Sequence, residues 1–213
     1  MLNAGMRPAH YCPDGLSAVA VNGQVRFNRG LYGAHSGFRV DCSDMPEFGV
    51  YLPRMGGNLR LTLPAGDCIA RYTPGRMDYE QGGVTVEVQV GRDTDFAVWA
   101  IHNTNSRTVD IPVRFGGVAD KKFHREGDLG VDDPTCFDLR PEYCAGNIYK
   151  VNKDKVTIEY GKKERKHISL LIPARSYTIT ATPYYEGTIQ LKPGQTKYIV
   201  LSPKGDLPSG NGA

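Results

Sequence analysis

Residues 28–63 read NRGLYGAHSGFRVDCSDMPEFGVYLPRMGGNLRLTL, and this stretch decides the fold class. Phe38, Arg39 and Val40 alternate apolar and polar, and residues 48–52 form a short, mostly apolar run. In residues 58–63, Leu59, Leu61 and Leu63 fall on one face and Asn58, Arg60 and Thr62 on the other. A period of two marks a strand, because successive side chains leave its backbone on opposite sides. Between the last two runs, Pro53-Arg54-Met55-Gly56-Gly57 reads as a tight turn that exposes one arginine, since paired glycines admit positive φ.

The same rhythm extends outward. Val84, Val86, Val88 and Val90 alternate with Thr85, Glu87 and Gln89, the pattern of a half-buried antiparallel strand. Val109, Ile111, Val113 and Phe115 share a face, and Gly116-Gly117 reads as the end of that strand. Asn22-Gly23 between two short β-like runs predicts a type I′ hairpin near the start. Pro193-Gly194 predicts the last hairpin, and 161–165 reads as a charged turn. No segment carries a sustained apolar pattern of helical period. About fifteen strand candidates at short spacing predict an all-β, antiparallel β-sandwich.

The expected organisation is an N-terminal loop segment over 1–15, one sandwich domain over 16–201, and a linker or tail over 202–213. Residues 116–146 interrupt the rhythm with a long polar loop that carries Asp120, His124, Glu126, Asp128, Asp132, Asp133 and Asp138. It is expected to project from one end of the sandwich, with Leu129, Val131, Phe137 and Leu139 pinning its second half.

Composition narrows the function classes. With 26 Lys+Arg against 23 Asp+Glu, the formal charge is +3, which gives no basic footprint for nucleic acid. No apolar run approaches the roughly 20 residues of a membrane span. Residues 1–15 show no signal-peptide pattern. Cys12, Cys42, Cys68, Cys136 and Cys144 are odd in number and lack metal-type spacing, so buried free thiols are expected. In an oxidising compartment Cys136 and Cys144 could instead close a short loop.

Each candidate chemistry has a plainer counterpart. The acidic run over 127–134 offers oxygen ligands for calcium but departs from EF-hand spacing, so a solvated loop is preferred and no metal is assigned. Glu47, Asp78, Glu80, Asp95 and Glu142 could each serve in glycoside hydrolysis. Nothing in the sequence pairs any two of them, so no catalytic residue is nominated. Nucleophile-elbow and phosphate-loop motifs are absent, and no cofactor is implied. Arg29, Tyr32, His35, Arg54, Asn58 and Arg60 are the substrate-binding candidates. Aromatic rings stack on sugar faces, and Arg and Asn donate to hydroxyls or to uronate carboxylates. On residue types alone they also fit a solvent-facing sheet surface and an exposed turn.

The segments NRGLYG, FRV and MPEFGVYLPRMGGNLRL resemble an uncharacterised bacterial domain family. That family forms the N-terminal β-sandwich of large glycoside-hydrolase-like proteins in polysaccharide-degrading bacteria. The resemblance runs over about 7–203. It implies a supersandwich-like fold, a periplasmic or secreted location, and a partner in the (α/α)6-type helical domain of the parent protein, which usually carries the catalytic carboxylates. The chain reaches Ala213 without such a helical segment, so catalysis by the chain alone is not expected. The expected role is a non-catalytic accessory domain that packs on the helical partner and can contact an oligosaccharide. The alternatives are an independent carbohydrate-binding module and a glycoside hydrolase with a site of its own.

Overall fold

The alternating stretches become strands stacked in two sheets. The structure is a computed structural model of the chain, described for residues 10–11, 18–21, 29–32, 38–73, 75–91, 95–121, 123, 135–160, 166–171, 177–180 and 182–203. In these residues the strands are β1 (His10–Tyr11), β2 (Ala18–Val21), β3 (Arg29–Tyr32), β4 (Arg39–Cys42), β5 (Glu47–Leu52), β6 (Met55–Leu61), β7 (Ile69–Thr73), β8 (Arg76–Gln81) and β9 (Val84–Val90). They continue with β10 (Ala97–Asn103), β11 (Val109–Ala119), β12 (Ile148–Asn152), β13 (Lys155–Tyr160), β14 (Lys166–Leu171), β15 (Tyr177–Thr180), β16 (Tyr184–Leu191) and β17 (Thr196–Ser202). A 3-10 turn, Cys136–Asp138, and a short helix, α1 (Pro141–Cys144), lie between β11 and β12.

One sheet has 11 strands in the order β1-β2-β7-β8-β9-β10-β17-β14-β13-β12-β15, and the other has six in the order β16-β11-β6-β5-β4-β3. Every pairing is antiparallel. The chain is therefore an all-β sandwich, as the alternation predicts. Leu59, Leu61 and Leu63 meet Val84, Val86 and Val88 in one buried cluster, with Val90 packed at its margin. Phe48 of the smaller sheet meets Tyr79 and Trp99 of the larger one edge-on, with ring centroids 5.6 and 5.5 Å apart. Burying a side chain such as Phe48 stabilises the fold by about 1.5–3 kcal/mol.

Two glycine pairs behave differently from the sequence expectation. The β5–β6 reversal is confined to Pro53 and Arg54, with Arg54 at φ 60°, and Gly56-Gly57 already belongs to β6. Gly116-Gly117 likewise does not end its strand, because β11 continues to Ala119. The reason is steric. A Cβ on Gly57 would lie 2.7 Å from the Phe115 ring, and one on Gly117 would lie 2.5 Å from the Tyr160 hydroxyl. These glycines are flat places on which side chains from elsewhere rest.

Some expectations fall elsewhere. His10–Tyr11, inside the segment read as a loop, is a two-residue strand paired with β2. The Asn22-Gly23 turn, the charged turn over 161–165, the acidic stretch 124–134 and residues 204–213 lie outside the described residues.

Candidate functional site

The register of the smaller sheet lays its outward side chains in rows. Glu47, Arg60, Arg114 and Glu186 stand directly opposite one another across β5, β6, β11 and β16. In the next row are Asp41, Gly49, Asn58, Gly116 and Tyr184. Arg39, Tyr51, Gly56 and Val118 follow. This is the face opposite Phe48, Leu59 and Phe115, which fill the core.

Part of the face is roofed by the segment after β11. Phe123, Cys136, Leu139 and Cys144 pack with Tyr51 in a second buried cluster, with Val118 and Tyr184 at its edge. The roof can sit this low because the floor lacks side chains. A Cβ on Gly56 would lie 2.7 Å from Phe123 and 2.8 Å from the Cys136 sulfur. The Cys136 backbone N–H donates to the Tyr51 hydroxyl at 3.2 Å, and the Cys136 thiol donates to the Val50 carbonyl at 3.2 Å. Beneath it, the fully buried Asp41 carboxylate pairs with Arg39 Nε at 2.9 Å, and the Arg39 guanidinium lies 4.2 Å from the Tyr51 ring centroid. Burial, with the neighbouring Cys136 and Asp41, pushes the Tyr51 hydroxyl well above its ordinary range. The described part of the long polar loop is thus a folded third layer; Phe137 and Leu139 are buried there, while Leu129 and Val131 lie outside the described residues.

Beside the roof the face stays open. Arg60, Thr62, Pro112, Arg114, Glu186 and Thr188 line a shallow groove of about 440 Å³. Arg114 is held in place: its guanidinium lies 3.6 Å from the centroid of the Tyr184 ring, and the Tyr184 hydroxyl donates to the Leu139 carbonyl at 2.6 Å. One edge of that ring abuts Gly116, where a Cβ would come within 2.3 Å of it. Arg60 is exposed, and among the described residues it makes no ion pair or hydrogen bond. Its cross-strand neighbour Glu47 accepts instead from the Asn58 amide at 3.1 Å. Two like charges directly opposite on adjacent strands cost stability, so Arg60 against Arg114 breaks a local rule.

A second groove, of about 230 Å³, crosses the outer face of the larger sheet along Arg71, Arg76, Asp78, Glu80 and Glu87. Three of its charges are mutually engaged. Arg76 reaches Asp78 at 2.8 Å and Glu87 at 3.4 Å. Arg76 with its two carboxylates reads as a surface ion-pair cluster, which contributes little to stability.

The sequence candidates separate. Arg29 and Tyr32 stand on β3, the edge strand of the smaller sheet, with side chains outside the description, and His35 lies outside the described residues. Arg54 is exposed on its turn, 3.9 Å from Asp120. Asn58 is buried against Glu47, one row from the groove. Arg60 lines the groove. Arg114, Tyr184, Glu186 and Thr188 escaped sequence reading. The alternation that turns Val113 and Phe115 inward turns Arg114 outward, and this was the available signal. Among the other weighed carboxylates, Asp78 is tied to Arg76, Glu80 is exposed, and Glu142 sits in the first turn of α1.

Cys42, Cys68, Cys136 and Cys144 are buried free thiols, and Cys12 lies outside the described residues. Burial pushes Cys68 and Cys144 up to about 11, and it pushes Cys42 and Cys136 further still. Among the described residues no group of three or more His, Cys, Asp or Glu could hold a metal ion, and no helix is long and apolar enough to cross a membrane.

No curated protein matches the chain. A family model described as "Domain of unknown function (DUF4450)" matches residues 52–199, which takes in every side chain of the open groove. The chain belongs to that family of domains of unknown function.

Proposed function

We propose that this chain is a non-catalytic accessory β-sandwich domain of a bacterial, glycoside-hydrolase-like protein that acts on polysaccharides in the periplasm or outside the cell. In this reading the open face of the smaller sheet contacts saccharide, while a helical catalytic domain of the parent protein packs elsewhere on the sandwich. The observation that carries it is the groove over β6, β11 and β16. There Arg60, Thr62, Arg114, Glu186 and Thr188 offer donors and acceptors around Pro112. A few convergent polar groups on a rigid sheet suit a ligand rich in hydroxyls. The sequence resemblance supplies the carbohydrate setting.

Affinity electrophoresis tests the reading. The chain is run through gels containing neutral or acidic plant and bacterial polysaccharides, beside a Thr188→Trp variant that fills the groove. Retardation of the chain by at least one polysaccharide, lost in the variant, is the expected result. Unretarded migration in every gel, or equal retardation of chain and variant, would overturn it.

A further inference from the structure

We propose that Arg60 and Arg114 form a carboxylate clamp, so that the groove takes an acidic saccharide, a hexuronate unit within a chain. The inference rests on the saccharide reading of this groove and specifies its ligand.

Three features carry it. The first is the arginine pair itself. Arg60 and Arg114 are in direct register on adjacent strands and both face outward. Guanidinium groups so placed repel each other, and an anion between them turns that repulsion into attraction. Their cross-strand glutamates do not supply that anion. Glu47 is engaged by Asn58, and among the described residues neither arginine forms an ion pair with Glu47 or Glu186.

The second feature is charge balance. Arg60, Arg114 and Glu186 are the charged side chains that line the groove. Their sum is complementary to one carboxylate within the groove, that of a single residue of the saccharide chain. Glu186, Thr62 and Thr188 remain to meet ring hydroxyls, with the carboxylate of Glu186 accepting and the threonines donating or accepting. A hexuronate presents this combination of one carboxylate and several hydroxyls on one ring.

The third feature is preorganisation. Arg114 lies on the Tyr184 ring, and the ring is fixed by Gly116 at its edge and by the Leu139 carbonyl at its hydroxyl. The guanidinium is therefore held before ligand arrives, which lowers the ordering cost of binding. The roof that buries Cys136 and Leu139 doubles as the support of the clamp.

Isothermal titration of the chain tests this with oligogalacturonates and oligoglucuronates, the methyl-esterified oligogalacturonates, a neutral oligosaccharide of equal length and a sulfated one. Esterification keeps the ring and removes the charge, so this arm needs no mutation. The free acid of at least one uronate series is expected to bind at least about ten-fold more tightly than ester, neutral or sulfated sugar, and to weaken as salt rises. Arg60→Gln and Arg114→Gln should each bring the acid down to the level of the ester, with Arg60→Lys in between. Melting temperatures check that these variants fold. Acid and ester binding alike, or tighter binding of the neutral or sulfated sugar, would remove the clamp and leave the saccharide reading standing. Binding of no sugar at all would remove both.

Discussion

Gly116→Ala puts the support of the groove to a quantitative test. The position is an ordinary extended site in β11, so on backbone entropy alone alanine would stabilise by about 0.4–1 kcal/mol. The structure predicts the opposite sign. The new Cβ would lie 2.3 and 2.4 Å from two atoms of the Tyr184 ring, a separation that atoms cannot sustain. The ring must lift, and in lifting it strains its 2.6 Å hydrogen bond to Leu139 and its contact with Arg114. Overpacking, a weakened hydrogen bond and a lost cation–π contact together cost on the order of 2–4 kcal/mol. For a domain of this size that is a fall in Tm of roughly 5–15 °C. Calorimetry of the wild type, Gly116→Ala, Tyr184→Ala and the double variant isolates the cause. If the clash lies with Tyr184, adding Gly116→Ala to Tyr184→Ala should cost almost nothing further. A Gly116→Ala protein as stable as the wild type, or a double variant that loses the full sum of both singles, would refute the argument.

Three further outcomes are expected. Val86→Asp places a charge at a fully buried position of the shared core and should abolish cooperative folding, visible as loss of the thermal transition in circular dichroism. Stability should fall in alkali: burial raises the Cys68 and Cys144 thiols to about 11, so the folded state holds these protons more tightly than an unfolded chain whose thiols titrate near 9. The contribution is complete below pH 9 and is lost between 9 and 11, so a Tm that stays level across that window would contradict it. Tyr184→Phe keeps the ring against Gly116 but drops the bond to Leu139. It should cost about 1 kcal/mol in stability and weaken uronate binding without touching the ligand, whereas unchanged titration isotherms would separate Arg114 from its support.

The fold was legible where a single strand contains its own signal. Residues 84–90 and 59–63 announce a buried face by alternation, and both faces meet in the core. The glycine pairs were not legible. In sequence a glycine marks either a positive φ or a missing side chain, and Gly56 and Gly116 are the second kind. Their partners, Cys136 and Tyr184, are far along the chain and are brought there only by the folded sheet. In the loop after β11, Phe137 and Leu139 were legible as pins and both are buried, whereas the glycine floor on which Phe123 and Cys136 rest was not legible. The stretch 124–134, on which the expected projection turns, lies outside the described residues. Of the site, Arg60 could be named from its own strand. Its opposition to Arg114 could not, because that depends on the β6–β11 register.

The central claim, that saccharide is held on the open face of the smaller sheet, is tested most directly by amide chemical-shift mapping of the isotopically labelled chain. The titrant is an oligouronate, with its methyl ester in parallel. The account predicts that the acid shifts resonances in β6 near Arg60 and Thr62, in β11 near Arg114 and in β16 from Glu186 to Thr188, with smaller shifts at Tyr184 and Leu139. Perturbation centred instead on Arg71, Arg76 and Glu87 of the larger sheet, or a spectrum that no saccharide moves, would contradict it.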